Sequence, residues 1–240
     1  MKPLHKFLLF TIIALAAFLR LYRLSEIPPG INRDEASIGY TANSLLQTGK
    51  DEYGRSFPLS FESFGDWKLP LYIYTTIPFV KLLGLSELAV RLPSAIAGIV
   101  TVASLFVLVR ILFQSITLAL LSSFILTISP WHIHISRVES ESNVAILFIT
   151  LGMILFLGAL SHKRTLWLTL SGMFFAATYY TYHGNHIFTT LYTAGLLILY
   201  RKEVFQMPRW IVATGISFSF VAIILVFTLF SANKTKISGI

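Results

Sequence analysis

Long uncharged runs dominate this sequence and set what it can fold into: Leu92–Val109, Ile111–Ser136, Ser142–Ser161, Thr165–Tyr200 and Trp210–Asn233. A helix needs roughly 20 predominantly apolar residues to cross the hydrocarbon of a bilayer, and every one of these runs approaches or exceeds that length. A soluble globule carries about 25% charged residues; here they make up 12%, with hydrophobic residues at 55% of the 240 positions. The chain cannot coat itself with enough charge to face water. It reads as an integral membrane protein with an all-α fold, a polytopic transmembrane helical bundle. Disorder, collagen, coiled coil and nucleic-acid modules are excluded by the same arithmetic. The formal net charge of +8 matters through its placement, because Lys and Arg in short loops set membrane orientation. With no cysteine, disulfides, thiolate zinc sites, iron–sulfur clusters and a Cys nucleophile are all excluded.

The first span is expected over residues 4–24, preceded by Lys2 and Lys6 and closed by Arg20 and Arg23, whose long side chains can snorkel to the interface. That basic closure, with no small-residue cleavage site after it, argues against a signal peptide. Residues 25–87 form a polar loop with an amphipathic helix near 34–48 that stops at Gly49. The uncharged stretch Leu69–Val80 is short and contains Pro70 and Pro78, so an interfacial helix near 69–84 suits it better than a crossing. Six further spans are expected over 88–233. Thr165–Tyr200 counts as two of them, because a single helix of that length would be about 54 Å long, and His183-Gly184-Asn185-His186 is its natural break. If Leu69–Val80 does not cross, the N-terminus, Arg110, Lys163-Arg164 and Arg201-Lys202 through Arg209 share one side, eight basic residues against Glu203 alone. The positive-inside rule makes that side cytoplasmic. The expectation is one transmembrane domain over 1–240 with about seven spans, a cytoplasmic N-terminus and an extracytoplasmic loop 25–87, in a multi-pass protein of the cell membrane. The sequence reads as the N-terminal part of a longer chain.

Four polar clusters fall on the outer face, where ionisable groups beside lipid are informative. The first is Asn32-Arg33-Asp34-Glu35, opening the amphipathic helix; carboxylates in a first helical turn are favoured by the dipole and stay ionised. They serve there as plain N-caps, or as a base or metal ligand. The second is Asp66-Trp67-Lys68, leading into the interfacial helix, where Lys68 is a snorkelling anchor or a holder of lipid phosphate. The third is Arg137-Val138-Glu139-Ser140-Glu141-Ser142-Asn143, a self-satisfied ion pair or a binding loop. The fourth is Tyr179-Tyr180-Thr181-Tyr182-His183-Gly184-Asn185-His186, an aromatic belt or part of a site.

The segments LRLYRLSEIPPGINRDEASIGYTANSLLQTG, WKLPLYIY, LAVRLPSAIAG and SPWHIHISRVESESN together resemble the GT-C glycosyltransferases, above all the branch of protein O-mannosyltransferases and aminoarabinose (lipid A) transferases. The resemblance covers roughly residues 15–190. It implies a GT-C-like fold and an extracytoplasmic active site that uses a polyprenyl-phosphate sugar donor. By position, Asp34 matches the family's first-loop catalytic Asp and Glu35 its neighbour. Lys68 matches the Lys or His before Pro-Pro-Leu, with Leu69 replacing the first Pro. Arg137, Glu141 and Asn143 match an Arg–Glu–Asn pattern, to which Glu139 is extra. Tyr180, Tyr182 and His183 match an aromatic–His stretch, and His186 stands where relatives usually show Arg.

The implied reaction moves a sugar from its phosphate to a hydroxyl acceptor on protein, lipid or glycan. It needs a base on the acceptor and positive charge on the leaving phosphate. Asp34 is expected as the base, and Lys68 and Arg137 as phosphate ligands. A single displacement would invert the anomeric carbon. Glu35 and Glu141 are candidates to hold a hard divalent cation such as Mg²⁺ or Mn²⁺, or to orient Lys68 and Arg137. The expected partners are the lipid-linked donor, the acceptor and the bilayer, with no nucleic acid. The competing class is a polytopic transporter or flippase of lipid-linked sugars, since short proline-broken helices and charges also mark transporters.

Overall fold

The computed structural model describes residues 1–205; the span expected over Trp210–Asn233 lies outside the described residues. The first helix, α1 (Pro3–Leu21), starts on Pro3 at a position where a missing N–H is harmless. After an irregular segment, α2 (Arg33–Thr48) opens with a capping box. Asn32 Oδ1 accepts from the Glu35 N–H at 2.7 Å, and Glu35 Oε2 accepts from the Asn32 N–H at 3.0 Å. It stops at Gly49, whose φ of 69° is the left-handed cap that glycine adopts without strain. Both limits agree with the expected amphipathic helix.

A two-stranded hairpin follows, β1 (Phe61–Ser63) against β2 (Asp66–Lys68), with Phe61 opposite Lys68. Phe64 and Gly65 turn the chain at φ 51° and 82°, the mirror-image turn that matches strand twist. The hairpin feeds directly into α3 (Pro70–Leu83), again begun by a proline. Its 14 residues reach about 21 Å, short of a hydrocarbon core of about 30 Å, and its limits match the expected interfacial helix.

Three helices among the described residues are long and apolar enough to cross: α1, α4 (Glu87–Phe113) and α7 (Glu141–His162). A fourth crossing exists if α5 (Ile116–Ile128) and α6 (Pro130–Arg137) are joined, and these are bent by 59°. The uninterrupted span expected over Ile111–Ser136 is therefore corrected. Gln114, Ser115 and Ser129-Pro130 divide the run, and a proline removes a donor and clashes with the preceding turn. At this bend the carbonyls of Leu126 and Thr127 accept from the Arg20 guanidinium, each at 3.3 Å, and that of Leu126 also from the Ser129 N–H at 3.4 Å. The remaining helices are α8 (Thr165–Thr178), α9 (Asn185–Leu199) and α10 (Arg201–Phe205). The break between α8 and α9 runs over residues 179–184; it takes in the expected His183-Gly184, whereas Asn185 and His186 already belong to α9.

Two apolar cores organise these elements. One joins Ile38 and Leu45 of α2, Phe61 of β1, Tyr72 and Ile73 of α3 and Val90 of α4, and it holds the loop helices against the bundle. The other joins Met153, Phe156 and Leu157 of α7 to Phe175 of α8 and Leu196 of α9. Close approach depends on small residues, as membrane helix pairs often require. A Cβ at Gly98 would lie 2.2 Å from the Ser136 hydroxyl oxygen, so α4 and α6 meet there only through glycine.

Candidate active site

The loop between α1 and α2 has no regular structure, so its backbone carbonyls need partners from elsewhere. Two buried arginines supply them. Arg91, on α4, donates through Nη1 to the carbonyls of Leu24 (3.1 Å) and Pro28 (3.0 Å) and through Nη2 to that of Gly30 (2.5 Å). Its Nε and Nη2 also grip Glu35, at 2.7 and 3.1 Å. Arg137, ending α6, donates through Nη1 to the Leu19 carbonyl at 2.7 Å and through Nη2 to those of Tyr22 (2.6 Å) and Ile27 (2.9 Å). Arg20 completes the set. It is fully buried, and besides the end of α5 it reaches His132 Nδ1 at 2.6 Å.

This placement reassigns several residues. Glu35 accepts from Arg91 Nε and the Glu139 N–H on one oxygen, and from Arg91 Nη2 and the Asn32 N–H on the other. Those four bonds fill its lone-pair positions. Burial pushes its carboxyl up, but the hydrogen bonds and charge of Arg91 and the two backbone N–H groups bring it below the ordinary value. Glu35 is a fixed carboxylate inside the scaffold, not a second base open to substrate. Arg137, expected on the donor phosphate, has both terminal nitrogens committed to carbonyls. Asn143, expected to bind substrate, donates its Nδ2 to the Ser94 carbonyl at 2.8 Å and ties α7 to α4. Among the described residues no three His, Asp or Glu side chains converge on a point, and the lone-pair positions of Glu35 are taken.

What stays open lies one layer outward. Lys68, the last residue of β2, directs Nζ at Asp34 Oδ1, 2.9 Å away. The Lys68 side chain is 11% exposed and that of Asp34 is 57% exposed, so the pair has a sheltered cation and an accessible carboxylate. Glu139 and Glu141 stand on the connection into α7, and in each Oε1 is shielded from solvent and accepts no hydrogen bond. Burial pushes the Glu139 carboxyl up to about 7; Lys68 opposes this, and Asp34 and Glu35 add to it. Opposite, the segment between α8 and α9 docks on the hairpin. His183 Nε2 donates to the Trp67 carbonyl at 2.8 Å, and the Leu71 N–H donates to the Tyr180 carbonyl at 3.0 Å. His186 stacks on Tyr179, whereas Tyr182 is exposed.

Two residues beyond Lys68 in the chain, Pro70 enters the wall of an apolar cavity of about 520 Å³ between α3 and α8, lined also by Leu71, Tyr74, Met173, Ala177 and Tyr180 among others. Its lining is almost wholly hydrocarbon. The structure thus gathers Asp34, Lys68, Glu139 and Glu141 within electrostatic reach of one another, docks Tyr180 and His183 on the hairpin and the start of α3, and withdraws Glu35, Arg137 and Asn143 into the scaffold. Arg91 and Arg20 were missed as structural centres. The signal for Arg91 was present: an arginine directly ahead of the uncharged run Leu92–Val109 lies where a charge beside lipid is costly unless it is paired.

Residues 68–233 match the profile of the dolichyl-phosphate-mannose-protein mannosyltransferase family. The fold is also found in solved structures of ArnT from Cupriavidus metallidurans. The apo form has a TM-score of 0.63 at 14% identity, covering 90% of this chain and 41% of that one. The form bound to undecaprenyl phosphate has a TM-score of 0.65 at 13% identity, covering 93% of this chain and 42% of that one. This chain therefore spans less than half the length of those proteins. A search of curated proteins finds no match. The chain belongs to the dolichyl-phosphate-mannose-protein mannosyltransferase family, and it is a membrane protein with the ArnT-like, GT-C helical fold.

Proposed function

We propose that this protein transfers a sugar from a polyprenyl-phosphate donor to a hydroxyl acceptor at the extracytoplasmic face, with inversion. The observation that carries the reading is the Lys68–Asp34 ion pair, two residues along the chain from Pro70 in the wall of an apolar cavity. A lipid phosphate needs this juxtaposition of a cation for the head group and hydrocarbon for the chain. Lys68 Nζ binds the phosphate and moves off Asp34 to do so. The freed Asp34 carboxylate takes the acceptor proton. The acceptor oxygen attacks the anomeric carbon, and the bond to phosphate breaks with its electron pair leaving on the phosphate oxygen. That leaving group is already a weak base, so a general acid is not required. Family membership and the undecaprenyl phosphate in one ArnT structure support a prenyl donor. The cavity between α3 and α8 would hold the first isoprene units.

The transporter reading has less support. Transporters present broken helix ends to their cargo, whereas the Leu126 and Thr127 carbonyls at the α5–α6 bend are bonded to Arg20. The test is turnover in sealed vesicles of both orientations that contain the full-length protein, with a panel of radiolabelled polyprenyl-phosphate sugars. Label should pass to a hydroxyl acceptor only where the face bearing Asp34 and Lys68 is accessible. Movement of intact lipid-linked sugar across the vesicle without transfer would replace the enzyme by a flippase.

A further inference from the structure

The connection from α3 to α4 leaves apolar side chains uncovered. Residues 81–85 are all exposed. Leu82 is 79% exposed, Leu83 46% and Leu85 52%. So close a group of bare leucines is unfavourable against water and marks a surface that meets something else. Lys81 stands directly before them and forms no ion pair among the described residues. Gly84 ends α3 with a φ of 72°, and a Cβ there would meet nothing within 4 Å, so the loop projects away from the protein. The Ser86 hydroxyl then opens α4 by accepting from the Ala89 N–H at 3.3 Å.

The place of this loop decides what covers it. It joins a helix too short to cross the bilayer to one that is long and apolar enough to do so, which puts it at the boundary between headgroups and hydrocarbon. The apolar surface resumes on α4, where Ile96, Val100 and Val107 are exposed at spacings that share one helix face. An ammonium beside leucines suits the same boundary: its stem lies along hydrocarbon while its head reaches lipid phosphate. Interfacial segments bury apolar side chains about 5–10 Å into that region.

We propose that Leu82, Leu83 and Leu85 insert into the membrane leaflet on the Asp34 side, with Lys81 at its phosphates, so that the α3–α4 loop is an anchor that enters the bilayer without crossing it. It fixes α3 at its far end, as the bond from the Leu71 N–H to the Tyr180 carbonyl fixes it at the start. Because α3 forms one wall of the apolar cavity, the anchor sets the depth of that wall. It also bears on α2, the helix of Asp34: a Cβ at Gly39 would lie 3.1 Å from Leu85 Cδ1 and 2.9 Å from Val90 Cγ2, so α2 seats on the loop and on α4 through a glycine. The anchor does not depend on which donor or acceptor the protein uses.

The 240 residues contain no cysteine, so Leu82→Cys introduces one site for an environment-sensitive fluorophore. The variant is made in the full-length protein, with any cysteine elsewhere in the full chain replaced by serine, and reconstituted into phosphatidylcholine vesicles. Lipids spin-labelled near the glycerol should quench the fluorophore more than lipids labelled at the chain end. Iodide present on both faces should leave it bright, while it quenches the same fluorophore at Tyr53→Cys, a water-facing control. Quenching by iodide and not by lipid overturns the proposal, because the loop then faces water. Protection from both quenchers overturns it as well, since protein then covers the leucines. Strongest quenching by the chain-end label also refutes it, because the segment then lies in the bilayer interior. Should Leu82→Cys not fold, Leu83→Cys is read in the same way. Sugar transfer is not measured, so the result stands apart from the donor reading.

Discussion

The three buried arginines and Lys68 are all cations in a membrane protein, yet they behave oppositely. Arg91 and Arg137 direct their donors mainly to backbone carbonyls, and Arg91 also holds a fully bonded carboxylate. Lys68 has one carboxylate partner that is largely in solvent, and it faces two further carboxyl groups with empty oxygens. The first arrangement is closed: removing any member leaves a buried group unpaired. The second is open: its groups lack partners that a ligand can supply. Charge near lipid marks importance in both, but only unfilled hydrogen-bonding capacity marks a binding site.

The largest effect that tests this contrast is Arg91→Ala. It strands the Glu35 carboxylate and three carbonyls, and breaking a buried pair costs about 3–5 kcal/mol. Thermal unfolding in detergent should show that loss; a native melting temperature would mean the lock carries little. The lock also has a pH signature. Glu35 titrates below its ordinary value, so its contribution is full at neutral pH and is lost as pH falls through the lowered pKa. Asp34→Asn sits on the open side. General-base assistance is worth about 10²–10⁴-fold, so turnover should drop by that range. Stability should change by less than about 1 kcal/mol, the worth of an exposed ion pair. Near-normal transfer by this variant would move the base elsewhere, with Glu141 next in line. The smallest effect is expected for Arg137→Lys, which loses the fork that spans several carbonyls and should cost about 1–3 kcal/mol of stability while leaving donor affinity unchanged. A loss of donor affinity at unchanged melting temperature would return Arg137 to the site.

The sequence made local features legible and distant ones illegible, for a physical reason. Asn32, Glu35 and Gly49 signal the start and stop of α2 through contacts within the same few residues. Lys68 beside Pro70 marks the short helix that follows it. The bend at Ser129-Pro130 was lost inside an apolar run, because hydropathy carries no record of where a proline interrupts hydrogen bonding. The contacts of Arg137 and Asn143 were illegible for a different reason. Their partners are the carbonyls of Leu19, Tyr22 and Ser94, and a backbone carbonyl gives the sequence no identity to read. A charged motif shows that a partner is needed, and only the fold shows whether protein or ligand fills the place.

The arginine contacts also impose an order of assembly. The segment after α1 is made early, but its carbonyls find their donors in Arg91 and Arg137, separated from them by up to 115 positions along the chain. Until α4 and α6 are inserted, Asp34 is attached to a loop with no fixed shape, and the Glu139 N–H has not yet met Glu35. The candidate site is therefore among the last parts of the described bundle to take form during biosynthesis. A nascent chain paused before α6 would hold the first loop without the Arg137 donors that fix its backbone.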